Sequence, residues 1–238
     1  MSRVSEHDAL ERAIAASAVD LREEAAQRGS YLGFVAHEMR NPLSTALWSA
    51  ELLARLSSED RGGARGEKLT GMCLRALQRL RSLVEDHFLA ERLDVGGIPF
   101  RLEAVPVREA IAAVATKVGV AELALEIEEG LAVRADRGIL ERVLDGLLAT
   151  AGRGGSPVQL DAGRTRDTAL LRVRGAPPAP DALELPQKGT ASDPTGRALA
   201  LYTARRAAQA LGGSLSTTQE EYLLVLPLAS TGSPAAAT

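Results

Sequence analysis

Aromatic residues and cysteine are both scarce in this sequence. Phe, Tyr and Trp make up 3% of its 238 residues, which disfavours a large all-β core and favours packing between helices. The single cysteine, Cys73, excludes a disulfide within the chain and is typical of a reducing compartment. No apolar run approaches bilayer length, and the first residues lack the apolar core of a signal peptide. We therefore expect a cytoplasmic protein without a membrane segment.

The chain also lacks a strong excess of either charge. Its 28 Lys and Arg residues are opposed by 31 Asp and Glu residues, a net charge of -3, so neither nucleic acid nor an anionic membrane is expected as a partner. The stretch His37-Glu38-Met39-Arg40-Asn41 has no second histidine that would complete a zinc-binding pair. We predict no metal site.

Hydrophobic periodicity divides the chain into a helical part and a mixed part. Apolar residues spaced three and four apart from Leu10 to Leu53 predict one long helix, and those from Leu69 to Leu89 predict a second. The segment 58–66, rich in glycine and charge, separates them. Two antiparallel helices cannot enclose a core alone, so we expect residues 1–97 to form a homodimeric four-helix bundle with a second copy.

Residues 98–229 alternate short β-type runs with helical stretches, which predicts an α+β sandwich with helices on one face of a mixed sheet. Residues 230–238 are typical of a disordered tail. Predicted helices lie near 107–118, 137–151 and 196–211. The predicted strands are Phe100–Glu103, Leu123–Ile127, Ala132–Ala135, Val158–Ala162, Ala169–Arg174, Ser214–Thr217 and Tyr222–Leu226.

The first predicted helix contains the most informative motif, the segment from Phe34 to Leu43. On a helix His37, Arg40 and Asn41 project from roughly one face, with Glu38 beside it. The motif resembles the phosphoacceptor box of two-component histidine kinases. This resemblance implies that His37 accepts a phosphoryl group, that Glu38 assists as a general base, and that Asn41 helps to align the phosphoryl group or a water.

The order of elements after residue 98 resembles the ATP-binding domain of the same kinases, so the resemblance covers nearly the whole chain. Three motifs bind the nucleotide in that family, and all three are altered here, which predicts that the chain binds no cofactor. The altered positions are Gly146 and Thr150 in the first motif, Arg174, Ala176 and Pro178 in the second, and Ala198 in the third, where Gly196 is the only one of three glycines that survives.

An intact phosphoacceptor box beside an altered nucleotide site favours a histidine phosphotransfer protein of a phosphorelay. Such a protein passes a phosphoryl group between response-regulator receiver domains, which bring the Mg²⁺. An upstream hybrid kinase is a further candidate partner. We expect Arg40, Trp48 and Glu51 to contact the receiver, although Trp48 also fits a core position. Two alternatives stay open: a cytoplasmic histidine kinase with a divergent ATP site, and a pseudokinase scaffold that regulates a receiver or kinase.

Overall fold

A computed structural model of the chain describes residues 2–96, 99–120, 122–179, 181–184, 186 and 197–229, with the side chains of 2–16 and 197–198 outside that description. The chain divides into two compact units, and the division falls between Leu80 and Arg81, inside a helix. The predicted tail 230–238 and Gly196 of the third nucleotide motif lie outside the described residues.

The first unit contains the predicted helical hairpin. Helix α1 covers Ser2–Arg55 and continues through Pro42, α2 is the short helix Ser58–Gly62, and α3 covers Ala64–Val95. The segment predicted to interrupt the two long helices is therefore partly helical itself. Ser57 begins α2, because its Oγ accepts a hydrogen bond of 3.1 Å from the backbone N–H of Asp60.

One face of the hairpin is buried and another is exposed. Tyr31, Phe34, Val35 and Ala46 of α1 are buried, as is Leu69 in the first half of α3. Other apolar side chains of both helices stay exposed, at Leu32, Leu43, Leu47, Leu74 and Leu77. The hairpin thus has the amphipathic pattern that the sequence predicts, with an apolar surface that its own two helices do not cover. Within the described ranges, no helix is both long and apolar enough to cross a membrane.

The second unit contains the last turns of α3 and a mixed α/β domain. Its helices are α4, Val107–Val118, α5, Arg137–Ala151, and α6, Arg197–Ala210, with a short 3₁₀ turn at Arg153–Gly155. The strands are β1, Glu103–Pro106, β2, Leu123–Ile127, β3, Ala132–Ala135, β4, Val158–Thr165, β5, Thr168–Arg174, β6, Ser214–Thr217, and β7, Glu221–Pro227.

Among the described strands, five form one sheet in the order β2-β4-β5-β7-β6, and β1 pairs with β3 in a separate two-stranded sheet. The β2 and β4 pair is parallel, and the other pairs are antiparallel. Alternate residues of β5 and β7, such as Leu171 and Leu224, are buried in one hydrophobic core with α4, α5 and α6. The intervening residues of these strands point to the opposite face of the sheet.

Most predicted elements of this unit are confirmed, and one strand was misplaced. The predicted strands Leu123–Ile127, Ala132–Ala135 and Ser214–Thr217 match β2, β3 and β6. The strand predicted at Phe100–Glu103 instead runs from Glu103 to Pro106, because this stretch pairs with β3 and buries Val105. Strand β4 also extends beyond Ala162 to Thr165, since it pairs with β5 up to the tight turn between them.

Candidate functional site

His37 lies on an exposed face of α1. Its side chain is exposed, as are those of Arg40 and Asn41, because positions three and four apart share one helix face. The Oγ1 of Thr45 donates a 3.1 Å hydrogen bond to the backbone carbonyl oxygen of Asn41. The histidine ring is therefore accessible to a macromolecular partner.

Glu38 lies next to His37 in the chain, but its side chain is buried. A step of one residue turns the side chain by about 100° around the helix axis, and Glu38 is only 1% exposed. Its Oε2 lies 3.5 Å from Nη2 of Arg79 on α3. The structure thus places the predicted nucleophile on the surface and the predicted base in the interior of the hairpin.

The predicted receiver contacts lie further along the exposed face. Trp48 follows His37 by about three helical turns, which brings it back to nearly the same face. It is 55% exposed, and Glu51 is exposed as well. The sequence left open whether Trp48 lies on the surface or in the core, and the structure shows it on the surface. Arg40, Trp48 and Glu51 are therefore accessible on the side of α1 that carries His37.

Gly146 and Thr150 of the first nucleotide motif lie on α5 and are buried. The hydroxyl of Thr150 donates a 2.7 Å hydrogen bond to the carbonyl oxygen of Gly146. A Cβ at Gly146 would lie 3.3 Å from the carbonyl oxygen of Ala200 in α6. Gly146 therefore allows α6 to pack closely against α5, and the hydroxyl of Thr150 bonds within its own helix.

Arg174 of the second motif lies at the end of β5 with partners that sequence reasoning missed. Its Nη1 donates to Oδ2 of Asp161 on β4 at 2.6 Å, and its Nε donates to Oε2 of Glu221 on β7 at 3.0 Å. Val173 beside it belongs to the core, so Arg174 points to the other face of the sheet. The structure therefore does not bring Arg174 together with Gly146 and Thr150. Cross-strand register, which sequence alone leaves open, was needed to find this cluster.

The backbone after Arg174 packs closely on the end of α5. The N–H of Ala176 donates a 2.7 Å hydrogen bond to the carbonyl oxygen of Ala151, and a Cβ at Gly175 would overlap the same oxygen. Ala176 is buried, and Pro178 is half-buried. Position 175 thus has no room for a side chain. The side chain of Ala198 in the third motif lies outside the described residues.

Asp86 is a buried carboxylate that the sequence did not single out. It is 4% exposed, and its Oδ1 accepts a 2.8 Å hydrogen bond from Nε of Arg142 on α5. The hydroxyl of Thr203 on α6 donates to the backbone oxygen of Asp86 at 3.4 Å. Burial raises the pKa of the Asp86 carboxyl from 3.8 to about 6, and the charge of Arg142 opposes this rise. These contacts join the last turns of α3 to α5 and α6 within the second unit.

In the described part of the chain, no three His, Cys, Asp or Glu side chains cluster as a metal site would require. Comparison with known families gives a positive result instead: residues 27–96 match the His Kinase A (phospho-acceptor) domain. The exposed His37 and its flanking motif lie within this match. The resemblance predicted from the segment Phe34–Leu43 is thereby confirmed.

Solved structures extend the similarity beyond the His Kinase A domain. The Acinetobacter baumannii histidine kinase AdeS is similar with a TM-score of 0.61 and 18% identity, over 81% of this chain and 98% of that chain. Full-length ShkA in complex with AMPPNP is similar with a TM-score of 0.52 and 22% identity, over 85% of this chain. This chain spans just under half of ShkA, since the match covers 46% of that protein.

At these identities the similarity shows the fold alone: a helical hairpin followed by a mixed α/β domain, as in the histidine kinase AdeS. No curated protein matches this sequence significantly.

Proposed function

We propose that this chain is a histidine-kinase-type protein of a two-component system that carries a phosphoryl group on His37. The observation that supports this most directly is the exposed His37 within a His Kinase A domain. Domains of this family typically homodimerise and pair with response regulators, which makes a second copy and a receiver domain the expected partners.

The proposed chemistry needs only a few groups of this chain. An unprotonated ring nitrogen of His37 attacks phosphorus, so that a nitrogen–phosphorus bond forms as the bond between phosphorus and the leaving oxygen of the donor breaks. The proton on the other ring nitrogen passes to a base, the role proposed for the Glu38 carboxylate. Asn41 lies one turn beyond His37 on the same exposed face, where its amide contacts the phosphoryl oxygens or a water.

The first candidate donor is ATP. The comparisons fit a histidine kinase better than a phosphotransfer protein: of the two similar structures described above, one is a histidine kinase and the other was solved with the nucleotide analogue AMPPNP. On this proposal the α/β domain supplies the nucleotide site through residues other than those at the family's usual positions. The three altered motifs would then mark a divergent ATP site.

The second candidate donor is a phosphorylated receiver domain, which would make the chain a phosphotransfer protein. Specific contacts favour it: Gly146 packs against α6, the Thr150 hydroxyl bonds within α5, and Arg174 pairs with Asp161 and Glu221 on the other face of the sheet. None of these three residues then serves a nucleotide. Mg²⁺ would be held by the receiver, and the chain itself would bind no cofactor.

The dimer in this proposal rests on the hairpin. Leu32, Leu43 and Leu47 of α1 and Leu74 and Leu77 of α3 are each between 45% and 56% exposed. Pairing with a second hairpin would remove this apolar surface from water and complete a four-helix bundle. Trp48 and Glu51 would remain available to a receiver on the face that carries His37.

Three phosphoryl donors test the proposal. The purified protein is incubated with phosphoramidate, with ATP labelled on its γ-phosphate, and with a panel of receiver domains previously phosphorylated by acetyl phosphate. We expect acid-labile label on wild type with phosphoramidate and none on His37→Gln. Label from ATP selects the kinase, and label from receivers alone selects the relay. Equal labelling of His37→Gln, or no labelling of wild type by any donor, would contradict the proposal and favour a pseudokinase scaffold.

A further inference from the structure

Glu38 has an unusual environment for a charged residue. It is 1% exposed, whereas the neighbouring His37 and the following Arg40 and Asn41 are exposed. Removing a carboxylate from water is unfavourable, and a buried carboxylate without a compensating charge takes up a proton instead. A buried Glu38 that acts as a base therefore needs a nearby positive charge.

Arg79 provides that charge from the other helix of the hairpin. Its Nη2 lies 3.5 Å from the Oε2 of Glu38, and its side chain is 26% exposed. A guanidinium group stays charged throughout the physiological pH range, so the pair does not depend on the protonation of Arg79. Because the two residues lie on α1 and α3, the ion pair connects the helices of the hairpin beside the phosphoacceptor.

We propose that Arg79 is a positioning residue for phosphoryl transfer at His37, because its charge keeps the Glu38 carboxylate ionised and oriented inside the hairpin. This inference rests on the proposed function of His37. On this proposal Arg79 acts on the reaction through Glu38. A base must be unprotonated to take the imidazole proton as the nitrogen–phosphorus bond forms, and a neutral Glu38 could not do so.

A double-mutant cycle tests this inference on the full chain, with phosphoramidate as the donor. In this reaction the phosphorus–nitrogen bond of phosphoramidate breaks, ammonia leaves, and the phosphoryl group bonds to His37. The measured quantities are the first-order rate constant at saturating donor and the donor concentration at half-saturation. We expect Arg79→Gln to lower the rate constant about tenfold or more, the lower range of general-base effects, with little change in half-saturation.

Three further variants separate positioning from a structural role. In a Glu38→Gln background, Arg79→Gln should have no additional effect on the rate constant, because the carboxylate it positions is gone. Arg79→Lys keeps the charge and should retain a rate within about threefold of wild type. Arg81→Gln is the matched control, since Arg81 pairs with Glu85 on the exposed surface of α3, and its rate should equal that of wild type.

Several outcomes would overturn the inference. One is that Arg79→Gln lowers the rate constant equally in the wild-type and Glu38→Gln backgrounds. Another is that Arg79→Gln transfers at the wild-type rate. Circular dichroism shows whether Arg79→Gln folds. If it does not, the double variant Glu38→Gln/Arg79→Gln is used as the reference, because it leaves no unpaired buried charge. The rate constant of Arg79→Lys then decides, and a tenfold loss of that rate constant contradicts the proposal. Absence of phosphohistidine in wild type would overturn the proposed function as well, whereas normal transfer by Arg79→Gln would overturn this inference alone.

Discussion

The buried Asp86 predicts an unusual dependence of stability on pH. Its carboxyl pKa is about 6 in the folded chain against 3.8 ordinarily, mainly because of burial, with Arg142 opposing the rise. A carboxyl group whose pKa is raised by folding stabilises the folded state when it is protonated. This contribution is fully present below pH 3.8 and is lost as the pH rises through about 6. Most carboxylates in proteins contribute in the opposite direction.

The size of the effect follows from the pKa difference. A shift of about two pKa units, at about 1.36 kcal/mol for each unit, corresponds to about 3 kcal/mol between the protonated and ionised limits. Asp86 is 4% exposed, so solvent screening reduces this value little. Asp86→Asn removes the titration but keeps an oxygen that accepts a hydrogen bond from Arg142.

The assay is urea unfolding of the full chain, followed by far-ultraviolet circular dichroism between about pH 4 and pH 8. The difference in unfolding free energy between wild type and Asp86→Asn should change by about 2.4 kcal/mol across this range, with wild type losing relative stability as the pH rises. Asp20→Asn, at an exposed position on α1, is the control and should show no such change. A difference between wild type and Asp86→Asn that stays constant with pH would refute the reasoning.

Three further predictions concern the dimer, the receiver surface and the packing of α5. The full chain should sediment as a dimer. Leu47→Glu should shift it toward monomer, because Leu47 is 56% exposed on the apolar face of the hairpin. A Leu47→Glu protein that remains fully dimeric would contradict the four-helix bundle. Trp48→Ala should slow transfer between His37 and receivers while leaving labelling by phosphoramidate unchanged, and a normal rate with receivers would exclude the docking role. Gly146→Val should destabilise the chain by about 1–3 kcal/mol in urea unfolding, because the valine side chain would meet the backbone of Ala200. The control is Ala54→Val at an exposed position of α1. Equal destabilisation by the two substitutions would argue against close packing at Gly146.

Local sequence patterns were sufficient to predict much of this protein. The apolar spacing along residues 10–53 and 69–89 predicts two long helices, which the structure shows as α1 and α3. The alternating runs predict β2, β3 and β6 at their observed bounds. These features depend on residues a few positions apart, and so the linear sequence contains the information that determines them. The segment around His37 is equally local, and its resemblance to the phosphoacceptor box agrees with the His Kinase A match.

The misplaced first strand and the location of Arg174 show where local patterns stop. Strand β1 begins at Glu103 because β3 pairs with it there, and the partner of a strand is not encoded in its own few residues. The resemblance assigned Arg174 to an adenine-binding position, and in the structure its side chain reaches Asp161 and Glu221 on neighbouring strands. Which face of the sheet it takes depends on the register of three strands.

Burial of charge was decided by the tertiary structure alone. Glu38 and Asp86 lie on helices among other charged residues, and nothing in their spacing distinguishes them from solvent-exposed acids. In the structure Glu38 of α1 lies beside Arg79 of α3. Asp86 of α3 lies beside Arg142 of α5. Helical periodicity predicts which residues share a face, but only the packing of distant segments determines which charges lose contact with water and which arginine compensates them.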